Sequence, residues 1–151
     1  MKKLYLVAVI ALISANIAIA DTAIKDNYGN ALGSYKTDTS GKTMQCDKYG
    51  SVQSYYKSDS SGKVIKYDKY GNQEGYLKKD TNEKVIEYDK YGNQLGYFKK
   101  DSSDKVVKYD KYGNIIRYYK KDYAGKVQEY DKCSNFQGSG NNSVIFSLFE
   151  F

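Results

Sequence analysis

Tyr67-Asp68-Lys69-Tyr70-Gly71-Asn72 is the stretch that decides how this chain folds. It returns as Tyr88-Asp89-Lys90-Tyr91-Gly92-Asn93 and as Tyr109-Asp110-Lys111-Tyr112-Gly113-Asn114, 21 residues apart each time. The same phase continues downstream to Tyr130-Asp131-Lys132-Cys133-Ser134-Asn135. Upstream it reaches Cys46-Asp47-Lys48-Tyr49-Gly50-Ser51 and Lys25-Asp26-Asn27-Tyr28-Gly29-Asn30. Six copies at a fixed period define a repeat protein: each unit is too small to bury its own apolar face, so neighbours must cover one another.

Within one period, Lys63 to Tyr70 is rich in β-branched and aromatic residues with polar residues between them, and reads as a strand. Ile65 and Tyr67 fall on one face, Val64, Lys66, Asp68 and Tyr70 on the other. Gly71-Asn72 reads as the turn dipeptide, since both residues tolerate positive φ. Gln73 to Lys79 is a second strand. Asp80-Thr81-Asn82-Glu83 closes the unit as a second polar turn whose leading Asp can accept a bond from the backbone two residues on. Each period is therefore a β-hairpin, and six give about a dozen short strands. The chain has no proline to contradict this.

The series Lys66, Glu87, Lys108, Glu129 alternates in sign, which suits attractive pairs between successive units. Asp68, Asp89, Asp110 and Asp131 instead repeat one sign. Directly adjacent strands, about 4.8 Å apart, would set these like charges side by side. A meander that interposes the second strand of each hairpin is therefore preferred over a one-strand-per-turn coil. The apolar residues are mostly tyrosine, with one Val/Ile pair per repeat. This favours a thin, single-layer, elongated all-β sheet over a deep two-layer core.

The flanks differ from the repeats. Met1-Lys2-Lys3, an apolar run from Leu4 to Ile19 and the small residues Ala18-Ile19-Ala20 follow the plan of a secretory signal peptide. Residues 1–20 are read as that signal, residues 21–135 as the repeat domain, and residues 136–151 as a linker with an apolar cap. Export to the periplasm, outer surface or medium is expected, with no membrane span left after signal removal. The full chain carries a formal +6; losing Lys2 and Lys3 leaves +4, spread among mixed Lys and Asp. Such a mild excess serves solubility or, on a sharper reading, a weak attraction to anionic surfaces, and neither points to nucleic acid.

No histidine occurs, which removes the commonest general base and metal ligand. The carboxylates sit at repeated positions, and a periodic surface does not supply the unequal environments that an acid/base pair needs. The chain is read as not an enzyme, with no catalytic residue, no metal and no cofactor assigned. The Asp-led corners are explained by turn chemistry without calcium. Tyr55, Tyr56, Tyr76, Tyr97, Phe98, Tyr118 and Tyr119 form an aromatic row on the second strands, and this row is the candidate surface for a glycan or a surface protein. Cys46 and Cys133 replace repeat tyrosines four units apart. In an open meander they lie about 40 Å apart, beyond the roughly 7 Å that a disulfide spans. An internal bridge requires the sheet to curl shut; otherwise they are free thiols or pair between molecules.

A Tyr-Asp pair followed by two residues, Gly and Asn, recurring at this period with an Asp-led turn between, resembles the YD repeat of Rhs and teneurin-type secreted proteins. The resemblance rests on Tyr67-Asp68 with Gly71-Asn72, Tyr88-Asp89 with Gly92-Asn93 and Tyr109-Asp110 with Gly113-Asn114, and covers residues 26–135. It implies β-hairpin sheets, which in large members wrap into a shell around a toxin domain. Six repeats are too few for such a closed shell. The alternative function it implies is a structural or remnant fragment beside a toxin or secretion system. Bacterial MORN-variant repeats are similar at lower specificity.

Overall fold

The computed structural model describes residues 22–140, and every regular element in them is a strand. In chain order these are β1 (Thr22–Asp26), β2 (Ala31–Thr37), β3 (Thr43–Asp47), β4 (Val52–Ser58), β5 (Val64–Asp68) and β6 (Gln73–Lys79). There follow β7 (Val85–Asp89), β8 (Gln94–Lys100), β9 (Val106–Asp110), β10 (Ile115–Lys121), β11 (Val127–Asp131) and β12 (Phe136–Gly140). Each strand pairs antiparallel with the next in sequence, as the like-charge argument requires: β6 separates Asp68 on β5 from Asp89 on β7.

The sheet is neither open nor single-layered. β1 pairs with β12 through Ile24 and Gly140, Lys25 and Ser139, and Asp26 and Gly138, so the meander closes into a twelve-stranded barrel. Closure removes both sheet edges, and gives the inward residues of each strand a common interior. Val64, Leu77, Val85, Phe98, Val106, Tyr119 and Val127 are buried there with Ile24, Tyr35 and Tyr56. Cross-strand pairing builds the layer directly: Val64 faces Leu77, Val85 faces Phe98 and Val106 faces Tyr119. Burying this apolar set is what an open sheet of the same hairpins would forgo.

β12 also corrects the expected boundary at residue 136, because Phe136–Gly140 completes the sixth hairpin. The expected signal peptide (residues 1–20) and the apolar cap at residues 143–151 lie outside the described residues.

All eleven turns among the described residues have one geometry. In Asp68–Asn72 the Asp68 N–H donates to the Asn72 carbonyl at 2.9 Å and the Gly71 N–H to the Asp68 carbonyl at 3.1 Å. In Asp59–Lys63 the matching bonds are 2.9 and 3.2 Å. This is a three-residue hairpin loop whose last residue takes a left-handed conformation, with a bulge following. Gly71 fills that position at φ 94°, so Asn72 is not a second positive-φ residue as the dipeptide reading expects. Glu83, Asp104 and Ser134 occupy the same position in their turns at φ 62°, 60° and 67°.

The turns alternate between two ends. Those after odd-numbered strands begin at Asp26, Asp47, Asp68, Asp89, Asp110 and Asp131 and form the tyrosine end. Those after even-numbered strands begin at Asp38, Asp59, Asp80, Asp101 and Asp122 and form the lysine end.

Candidate functional site

The strand alternation splits the aromatic row. Tyr56, Phe98 and Tyr119 point inward and are 3%, 1% and 2% exposed, so they belong to the core and not to a binding surface. Burial pushes the Tyr56 and Tyr119 phenols well above their ordinary range. Tyr55, Tyr76, Tyr97 and Tyr118 face outward. Each of the first three stacks on the tyrosine opposite it in the next strand. The centroid distances are 5.0 Å for Tyr55–Tyr67, 4.7 Å for Tyr76–Tyr88 and 4.8 Å for Tyr97–Tyr109. A lysine ammonium covers each ring as well: Lys42 over Tyr55 at 4.4 Å, Lys63 over Tyr76 at 4.6 Å, Lys84 over Tyr97 at 4.9 Å and Lys105 over Tyr118 at 4.7 Å. Stacked rings and cation–π contacts of this kind stabilise the sheet, and they leave little ring face for a ligand.

The exposed aromatics are elsewhere. Tyr28, Tyr49, Tyr70, Tyr91 and Tyr112 are the second residues of the tyrosine-end loops, and all are between 78% and 84% exposed. Cys133 holds the sixth place and is exposed. A crown of five tyrosines and one cysteine therefore rings this end. Lys48, Lys69, Lys90 and Lys111 each precede a crown tyrosine and place the ammonium 4.9–5.0 Å from its ring centre. The turn beneath is firmly built: Asp68 Oδ1 accepts the Tyr70 and Asn72 N–H groups at 2.8 Å, and Asn72 Nδ2 donates to Asp68 Oδ2 at 2.8 Å. The Asn72 amide, followed by these backbone donors and against a desolvation effect, holds the Asp68 carboxyl below its usual range. Asp26, Asp89, Asp110 and Asp131 are held down in the same way by Asn30, Asn93, Asn114 and Asn135.

Behind the crown the interior is hollow. A cavity of about 520 Å³ has Tyr56, Val64 and Leu77 toward the core, with Glu74, Leu95 and Ile116 at its tyrosine-end rim. Gly75 and Gly96 carry no side chain into this level. A Cβ on either would lie 2.4 Å from the carbonyl oxygen of Tyr88 or Tyr109. The charged residues here are paired: Lys66 with Glu74 at 2.8 Å, Lys108 with Glu87 at 2.8 Å, and Arg117 with Glu129. Of the alternating series Lys66, Glu87, Lys108 and Glu129, only Glu87 and Lys108 meet across one repeat. Lys66 and Glu129 take partners on the neighbouring second strands instead.

Among the described residues, no group of three or more His, Cys, Asp or Glu side chains is placed to hold a metal ion. Cys46 is buried on β3 and Cys133 is exposed in the last turn; both are free thiols even though the sheet has closed. No described helix is long and apolar enough to cross a membrane. The strands, at five to seven residues, are shorter than the roughly nine to eleven that a membrane-crossing strand needs.

The crown was legible in principle. Its signal is the second tyrosine of the Tyr-Asp-Lys-Tyr-Gly-Asn stretch, expected on the strand face with Val64 but lying inside the turn, because β5 ends at Asp68 where the turn's hydrogen bonds begin. No family model matches the chain, and no curated protein is similar to it.

Proposed function

We propose that this barrel is an exported, non-enzymatic recognition module whose tyrosine end binds a glycan. The observation that carries the reading is a contrast between turns of identical backbone. At the lysine end the second loop residue is Ser40, Ser61, Asn82, Ser103 or Ala124; at the tyrosine end it is tyrosine in five of six copies. The turn itself does not need the ring, because serine and alanine hold the same hydrogen bonds. Tyrosine offers a large, rigid, amphipathic contact surface at low entropic cost, which suits recognition.

Two further features favour a sugar polymer over a single protein epitope. The crown repeats one Lys-Tyr unit around a ring, and a ligand that itself repeats can engage several units at once, multiplying weak contacts. The end is also close to electrically neutral. Its turn Asp residues are matched by Lys25, Lys48, Lys69, Lys90, Lys111 and Lys132, and the cavity charges are paired.

The test replaces Tyr49, Tyr70, Tyr91 and Tyr112 together with serine and screens both proteins on arrays of bacterial and host glycans and of envelope proteins. The expected result is an unchanged β-sheet circular dichroism spectrum and thermal midpoint, with glycan binding by the parent and none by the variant. Equal binding by both proteins rejects the crown as the site. A parent that binds only envelope proteins rejects the glycan.

A further inference from the structure

We infer that the opposite, lysine end docks the barrel on an anionic phospholipid bilayer. The argument is separate from the glycan reading and starts from where the charges fall. The last two residues of the even-numbered strands and the turns that follow them hold thirteen lysines against seven carboxylates, a net +6. The rest of the described barrel carries nine cations and nine carboxylates, a net charge of zero. The excess charge of the repeat domain is thus confined to one rim.

The rim is built to keep that charge outward. Its leading aspartates spend their carboxylates on their own turns: Asp59 Oδ1 accepts the Ser61 N–H at 2.9 Å and the Lys63 N–H at 3.0 Å, and Asp122 does the same for Ala124 and Lys126. Lys42, Lys63 and Lys84 rest over tyrosine rings, a contact that orients an ammonium without neutralising it. Lys100 and Lys105 are instead paired with Asp104 at 2.8 Å and Asp101 at 3.4 Å, carboxylates already counted in the net charge. Lys57, Lys78, Lys99 and Lys120 are exposed on the outer wall at the same level.

Cations on all five turns of this end, interrupted only at the β12–β1 seam, meet a planar anionic surface round most of the circumference. A bilayer rich in anionic headgroups offers such a plane, and each lysine near it adds to the attraction. Thr22 and Gly140, the two ends of the described chain, both lie at this rim through their pairing with Tyr35 and Val127. Docked in this way, the barrel presents its tyrosines away from the lipid.

The experiment is co-sedimentation of the purified chain from residue 21 onward with phosphatidylcholine vesicles, with and without phosphatidylglycerol. The readout is the difference between the two vesicle types. Binding is expected to require phosphatidylglycerol. It should also be lost between about 0.1 M and about 1 M salt, as the screening length falls from about 10 Å to about 3 Å. The triple variant Lys57→Glu, Lys78→Glu, Lys99→Glu brings the rim to neutrality and should weaken this binding at least about tenfold. Lys69→Glu, Lys90→Glu, Lys111→Glu makes the same total change at the crown and should leave it within about twofold, since those sites face away from the lipid beyond the screening length. Equal binding to both vesicle types, equal losses in the two triple variants, or retention by soluble polyphosphate but not by vesicles would each overturn the proposal.

Discussion

The two ends of this barrel are made by one turn and yet are unlike in almost every other respect. Both use an Asp that caps its own loop and a left-handed third loop residue. At the lysine end the interior is filled by Val64, Val85, Val106, Phe98 and Tyr119, the loops are small and polar apart from the fully exposed Tyr123, and the surface is cationic. At the tyrosine end, glycines and ion pairs leave a cavity, the loops carry rings into solvent, and charge is balanced. The division teaches that close packing and an open interior are separated along the barrel axis. One half supplies the packed apolar layer that lets the other stay open.

Breaking the packed half should have the largest effect. Phe98→Ala removes a side chain that is 1% exposed at the centre of the apolar layer and should cost about 3–5 kcal/mol in urea unfolding. A loss under about 1 kcal/mol would mean that this layer does not carry the fold. In the open half the outcome should depend on which ion pair is cut. Glu129 is almost fully buried against Arg117, so Glu129→Ala should cost about 3 kcal/mol by leaving a half-buried cation unpaired. Lys66 and Glu74 are more than a third exposed, and Lys66→Ala should cost no more than about 1 kcal/mol. Equal effects from the two would erase the distinction between wall and mouth.

Acid should test the turns. The carboxyls of Asp68, Asp89 and Asp110 lie below the usual value of 3.8 when folded. The stability they contribute is therefore complete above about pH 4 and lost as pH falls through their depressed folded values. Asn93→Ser removes the largest cause of the Asp89 depression, so its thermal midpoint should fall less steeply with acid than that of the parent. The smallest expected effect is a gain. Glu83 holds a left-handed φ of 62° where the sibling turn at 59–63 has Gly62, and Glu83→Gly should stabilise by about 0.5 kcal/mol, the strain relieved less the added freedom of the unfolded chain. An unchanged or lower midpoint would show that the neighbouring turn already absorbs the strain.

The period of 21 residues and the alternation around Val64, Lys66 and Asp68 were enough to place hairpins, strand order and faces. Closure was harder to see, because it depends on three residue pairs between β1 and β12, and no local pattern in either strand announces a partner more than a hundred residues away. β12 also looked like a linker because it holds Gly138 and Gly140 and no β-branched residue. Yet Gly138 stands two periods after Gly96, so its phase was readable. The aromatic row splits between the two faces of the wall, because aromatic content on a strand says nothing about direction until register is fixed. Tyr118 and Tyr119 are neighbours in sequence and lie on opposite sides of the wall.

The β1–β12 seam also bears on how many units this protein can have. An unclosed array tolerates duplication or deletion of a unit at either tip, with each gain or loss felt only by the next neighbour. Here a seventh hairpin would have to be accommodated by every strand at once, through a wider circumference and a new tilt. Unequal recombination among these near-identical segments should therefore yield misfolded products far more often than longer working ones, which makes six a count that the geometry itself polices.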